Sequence, residues 1–251
     1  MRVSPRDKAS PTPALLRLDA LSSLDDRSKV AIVEAASLSY PVGARRELQT
    51  EGQAIRSPLL LLNGWAARVR VLHDGRRQFI SFVLPGDIMG HYTYPDPVAT
   101  STVVALTDVQ VCPLPDSTEL PDLERAYSIS GALDEACLVA QIIRLGRFTA
   151  RERILDLIIE LFERLSLAGL VEGNSFAFPL TQEITADALG LTSVHVNRMV
   201  QQPRRIGELC WIAGQITLPD LPSLRSAIDC STTTVRPWSA LPPMPVAPSR
   251  N

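Results

Sequence analysis

The stretch LTQEITADALGLTSVHVNR, residues 180–198, decides the fold. It reads as two short helices joined by a tight turn. Ala186 stands in the first helix, where a close crossing requires a small side chain. Gly190 stands in the turn, where glycine takes a positive φ at little steric cost. Thr192 can cap the second helix through its hydroxyl. Val196, four residues on, points back at the first helix, and Leu189 and Leu191 fill the space between. With those positions turned inward, Ser193, Val194, Asn197 and Arg198 project outward or flank the exposed side. Outward residues at the start of such a second helix reach base edges in a major groove.

Arginine forks onto guanine O6 and N7, and asparagine pairs with adenine. Arg198 and Asn197 are therefore candidate base readers. Ser193 and His195 are placed to touch bases or phosphates, and Arg204 and Arg205 suit backbone phosphates. Thr181, Gln182 and Thr192, at the starts of the two helices, complete the candidate DNA-contacting set. Pro203 lacks a backbone donor and disfavours helix at Gln202. The second helix is accordingly predicted to stop there, with Arg204 and Arg205 in the following loop.

Working outward, FAFPLT (176–181) reads as a short strand, and LCWIAGQITL (209–218) as a hairpin turning at Ala213-Gly214. Upstream, TARERILDLIIELFERL (149–165) opens with Thr149 and Glu152 at capping-box spacing. Ile154, Leu157, Ile158, Leu161 and Leu165 then follow a helical period. Helix, strand, two helices and hairpin, in that order, make a winged helix-turn-helix.

Before the break at Gly146–Thr149, SGALDEACLVAQIIRLGRF (130–148) is a further helix. Leu133, Cys137, Ala140 and Arg144 lie near one stripe, widened by Val139, Ile142, Ile143 and Leu145. So broad an apolar surface can be hidden by a second copy of the chain, or by packing on the chain's own N-terminal half.

That half, from 38 to 115, is strand-rich. Asp74-Gly75 between VRVL and QFISFVL is a hairpin signal, because primed turns need positive φ. TSTVVALTDVQVCPLP (100–115) suggests a second strand pair turning at Thr107-Asp108. Such spacing predicts a small β-barrel or sandwich. Residues 14–36 carry one or two short helices. MRVSPRDKASPTP (1–13) reads as a disordered leader without an apolar signal region. The Pro-rich end (229–251) reads as a flexible tail.

Of the 251 residues 45% are hydrophobic, and the formal charge is −2. The chain is thus no basic nucleic-acid coat, and any affinity for DNA must come from local charge. Between 190 and 218 three arginines face one glutamate. Cysteines at 112, 137, 210 and 230 form no CxxC pair and sit at no metal-ligand spacing with His73, His91 or His195. They read as reduced thiols of a cytoplasmic protein. No apolar run is long enough to span a membrane. GxSxG, HExxH, P-loop and dinucleotide fingerprints are absent, so no enzyme is predicted. The competing reading is a ligand-sensing module whose helix-turn-helix contacts another protein.

Taken together, NGWAARVRVLHDGRRQFISFVLPGD (63–87), ERILDLIIELFERL (152–165), the 176–198 stretch and GQITLPDLPSL (214–224) resemble the Crp/Fnr family of bacterial transcription regulators. The resemblance covers about residues 14–228. It implies an α+β chain: a cyclic-nucleotide-binding-like jelly-roll barrel (14–120), a long dimerisation helix (121–146) and a winged helix-turn-helix (147–228). It also implies a homodimer on a palindromic site in double-stranded DNA, with RNA polymerase as a further partner. Ser193, Val194, Asn197 and Arg198 match the family's base-reading face.

Members that bind cyclic AMP carry Gly-Glu and, further on, Arg-Ser or Arg-Thr. Here GDIMGHYTYPDPVATSTVVAL (86–106) places Gly86 and Asp87 at the first pair, and Ala99 and Thr100 at the second. These four are the candidate effector pocket. Alanine cannot answer a buried phosphate charge, so cyclic AMP is not the expected effector; the barrel binds some other small effector or none. No cysteine precedes Cys112, which removes the N-terminal iron–sulfur cluster of oxygen-sensing relatives. No cofactor is predicted.

Overall fold

The computed structural model describes residues 10–205 and 207–228. Two helices open it, α1 (Thr12–Leu21) and α2 (Asp26–Ser37). Pro stands in the first turn of α1, where a missing N–H costs nothing. The Asp25 carboxylate caps α2 by accepting from Ser28 N at 2.8 Å. The helical part thus starts at Thr12, two residues inside the expected leader, whose residues 1–9 lie outside the described residues, as does the tail from 229.

Eight strands follow: β1 (Tyr40–Val42), β2 (Glu47–Gln49), β3 (Leu59–Asn63), β4 (Ala66–Val71), β5 (Arg77–Val83), β6 (Ile88–Met89), β7 (Thr102–Ala105) and β8 (Val109–Pro113). They form two antiparallel sheets, in the orders β1-β8-β3-β6 and β2-β7-β4-β5. Leu59, Leu61, Met89, Val109 and Val111 from the first sheet share a core with Ala66, Val83, Val103 and Ala105 from the second. The β4–β5 hairpin turns at Asp74-Gly75 as its sequence demands, with Gly75 at φ +85.

The expected strand pair at Thr107-Asp108 is not one. β7 pairs with β2 and β4, whereas β8 pairs with β1 and β3. The chain changes sheets between them. Its crossing is held elsewhere: Thr107 Oγ1 accepts from Trp65 N at 2.9 Å, and Asp108 Oδ1 from Ala44 N at 2.9 Å. A polar turn dipeptide marks a change of direction, and the side-chain acceptors then decide which strand each arm meets.

The long helix α3 (Pro121–Arg147) leads through Phe148 to α4 (Ala150–Leu167). The capping box at the start of α4 is complete: Glu152 Oε2 accepts from Thr149 N at 2.7 Å, and Thr149 Oγ1 from Glu152 N. Next come β9 (Val171–Glu172), β10 (Ser175–Ala177), α5 (Gln182–Leu189), α6 (Ser193–Arg205), β11 (Cys210–Ile212), β12 (Gln215–Thr217) and α7 (Leu221–Ala227). The four short strands make one sheet, β11-β12-β10-β9. Its β11–β12 hairpin turns at Ala213-Gly214, both at positive φ. β9 and α7 have no counterpart in the sequence reading; α7 is capped by Asp220, which accepts from Ser223 N at 3.0 Å.

One apolar cluster joins the two halves. Trp65, Ala67, Val69, Phe79, Phe82 and Leu84 of the barrel pack with α4 and with Phe178, Leu180, Ala186, Leu189 and Val196. The helix-turn-helix is therefore seated on the barrel through a shared apolar core.

Candidate DNA interface and effector cavity

The local chemistry of the turn is what the sequence requires. Gly190 closes α5 in the left-handed region (φ +63, ψ +37), and its N–H bonds Ala186 O. Leu191 N also reaches Ala186 O, at 3.0 Å. A Cβ added at Gly190 would meet nothing nearer than 3.7 Å. The cost of Gly190→Ala is then purely backbone, about 1–2 kcal/mol for a left-handed L-residue. Urea unfolding of the full chain should show that loss without a change in slope.

Thr181 caps α5 by accepting from Ile184 N at 3.1 Å, and Thr192 caps α6 by accepting from His195 N at 3.2 Å. The two caps fix where each helix begins, and so fix which side chains face out. Val196 and Val200 are buried against α5 and α4. Ser193, Val194, Asn197 and Arg198 are exposed, with Val194 at 78%. Thr181, Gln182 and Thr192 are exposed beside them, and His195 is half-buried. Asn197 Oδ1 accepts from Gln201 Nε2 at 3.3 Å, one turn on.

The expected stop at Pro203 is corrected. α6 continues through it, and Arg204 and Arg205 belong to the helix. A proline lacks the N–H that would bond the carbonyl of Met199, so the helix forgoes one ladder bond near its C-terminal end and continues.

A cavity of about 520 Å³ lies between the barrel and α3, a volume suited to a small molecule. Arg68, Arg70, Ile80 and Ile88 line it from the barrel, and Tyr127, Ser130, Asp134 and Leu138 from α3. His91, Tyr92 and Thr100 line it as well. Arg68 pairs with Asp134 at 2.9 Å and Arg70 with Glu51 at 2.6 Å.

The other three pocket candidates are not gathered there. Ala99 lines a different cavity, beside Gln49 and Ile55. Gly86 and Asp87 turn toward the helices instead. Asp87, only 3% exposed, pairs with Arg17 of α1 at 2.7 Å and with Arg164 of α4 at 2.5 Å. Gly86 O accepts from Arg17 Nη1 at 2.8 Å, and a Cβ on Gly86 would sit 2.8 Å from Arg17 Cδ. The Gly86-Asp87 pair thus serves as an anchor for α1 and α4, through the guanidiniums of Arg17 and Arg164.

That anchor is one end of a buried polar chain missed in the sequence. Arg164 also pairs with Glu160 at 3.2 Å. Glu160 and Asp156 both pair with Arg144 of α3, at 2.7 Å each. Arg144 Nη1 donates to Gln141 Oε1 at 2.6 Å, and Gln141 Nε2 donates to Ala188 O at the end of α5 at 2.7 Å. Three arginines and three carboxylates balance, and the chain runs from α1 to the helix-turn-helix. On the surface, Arg77 of β5 adds contacts to Asp187 at 2.8 Å and Glu183 at 2.7 Å. The stripe Leu133, Cys137, Ala140, Arg144 faces this interior, whereas Val139 (50%) and Ile142 (71%) stay exposed, with Leu138 and Ile143 beside them.

No described helix is long and apolar enough to cross a membrane. Residues 42–118 match the cyclic nucleotide-binding domain and residues 152–227 the Crp-like helix-turn-helix domain. The chain is 28% identical over 201 residues to the transcriptional activator protein FnrL of Cereibacter sphaeroides, covering 76% of this chain and 80% of that one. It is 29% identical over 164 residues to the nitrogen fixation regulation protein FixK of Bradyrhizobium diazoefficiens, covering 64% and 69%. Among solved structures it is similar to FixK2 from Bradyrhizobium japonicum, with a TM-score of 0.66 at 25% identity over 76% of this chain and 96% of that one. Barrel, long helix, winged helix-turn-helix and these matches together show that the chain belongs to the Crp/Fnr family and is a DNA-binding transcription regulator.

Proposed function

We propose that the chain acts as a homodimer in the cytoplasm, on a two-fold symmetric promoter site. The observation that carries this is the exposed edge of α6 on a chain whose long helix bears an exposed seam. Ala132, Glu135, Val139, Ile142 and Gly146 are all exposed at alternating spacings of three and four, the repeat by which two helices pair. In such a pair each α6 enters one major groove, with half-sites about one helical turn apart. Arg198, Asn197, Val194 and Ser193 face the bases, and His195 lies at the edge of that face. Thr181, Gln182, Thr192, Arg204 and Arg205 serve the phosphate backbone. RNA polymerase is the partner at promoters where the bound dimer acts.

The cavity between the barrel and α3 takes a small effector other than a cyclic nucleotide. Arg68 and Arg70, the arginines that line it, are already paired with Asp134 and Glu51. An incoming phosphate would have to displace a carboxylate from each.

Selection from random duplexes tests the reading, and a symmetric site is the expected product. On that site Arg198→Ala should cost about 1–3 kcal/mol and relax preference at one base pair per half-site. The reading in which the helix-turn-helix meets a protein instead is favoured by the small local excess of positive charge. It predicts duplex affinity that barely changes with salt, whereas DNA binding predicts a steep slope.

A further inference from the structure

We infer that Val194 reads the C5-methyl group of a thymine in each half-site. This rests on the DNA-binding role of α6 and adds the chemistry of one position. Among the described residues Val194 is the most exposed large hydrophobic side chain, at 78%. It stands in the first turn of α6, immediately after the cap at Thr192 has fixed the helix start. Asn197 and Arg198, three and four residues on, lie on the same face and are exposed with it. A base-reading edge thus carries one apolar group between polar ones.

Thymine is the one base that presents a methyl group in the major groove, where the other base edges are read chiefly by their donors and acceptors. Valine can satisfy neither donors nor acceptors, so facing any other base it would desolvate them without return. Facing thymine it buries its methyls against another methyl. Its χ1 is stiff, because two heavy atoms branch at Cβ, so the methyls arrive ordered with little entropy lost. Asn197 and Arg198 bring adenine and guanine contacts into the same half-site. The groove-facing code of α6 is then one thymine, one adenine and one guanine, with the thymine nearest the helix start.

The test uses the full chain on its selected duplex. Each thymine of the half-site is replaced by deoxyuridine, one position at a time and symmetrically, which removes the methyl and keeps every hydrogen bond. At one position the affinity should fall about fourfold per half-site. With Val194→Ala, whose side chain is too short to reach, the same replacement should lose less than twofold. Val194 is exposed, so the substitution leaves the core intact. Two results overturn the inference while leaving the DNA-binding role standing: no deoxyuridine position lowers affinity, or the loss persists undiminished in Val194→Ala. Failure to bind any duplex at low salt overturns the DNA-binding role of α6 and this inference with it.

Discussion

Asp87→Ala should lower the unfolding free energy of the chain by about 3–5 kcal/mol at neutral pH, the usual penalty for stranding buried partner charges. Two guanidiniums converge on this carboxylate, from Arg17 at 2.7 Å and Arg164 at 2.5 Å, and Leu84 N donates to it at 2.7 Å. The side chains of Arg17 and Arg164 are only 3% and 12% exposed, so water replaces little of what is lost. Burial by itself would raise the Asp87 pKa. Arg164 and then Arg17 more than reverse that, and the carboxyl is held below its ordinary value. A group whose folded pKa lies below its unfolded one stabilises fully above the unfolded value, near 4. That contribution is lost as pH falls from about 4 through the lower folded value. Urea unfolding at neutral pH should therefore separate wild type from Asp87→Ala by the full amount, and the gap should narrow only below about pH 4. A difference under about 1 kcal/mol at neutral pH would show that the anchor is dispensable.

Nothing in the sequence singles out Asp87 for this role. Its position in GDIMGHYTYPDPVAT marks it as part of an effector cassette, and its partners lie 70 and 77 residues away along the chain. Long-range charge pairing has no local signature. The same holds for Arg144, which looks like one more member of an apolar stripe, although its partners at 156 and 160 are a helix away. By contrast, Asp74-Gly75, the Thr149–Glu152 box and Gly190 were legible, because each is fixed by φ or by a hydrogen bond within four residues. The exposed edge of α6 was legible for a related reason: small and apolar residues at fixed offsets leave few outward positions. Thr107-Asp108 and Pro203 mark the limit of such reasoning. Both are local signals that tertiary context overrode, one by sending its two arms to different sheets, the other by tolerating a missing bond near a helix end.

Arg144→Met should cost a similar 3–5 kcal/mol, and here a second variant separates charge from packing. Arg144 is 1% exposed, and its guanidinium is shared by Asp156 and Glu160, at 1% and 6% exposure. Methionine fills much of the volume, so the loss comes from removing a cation that two buried carboxylates share. Glu160 keeps its pairing with Arg164 when Arg144 is removed. Arg144→Met combined with Asp156→Leu removes one charge of each sign and should recover at least half of the lost stability. If the double variant is no more stable than the single, the interior tolerates the imbalance and shape is what Arg144 supplies. The single variant should also weaken DNA binding beyond its effect on the folded fraction. Arg144 holds Gln141, and Gln141 holds the carbonyl of Ala188, two residues before the turn at Gly190. Loosening that hold lets α5 shift on α3, and α6 with it. Comparing duplex affinity of Arg144→Met and of the double variant, both well below their unfolding temperatures, reads this coupling separately from stability.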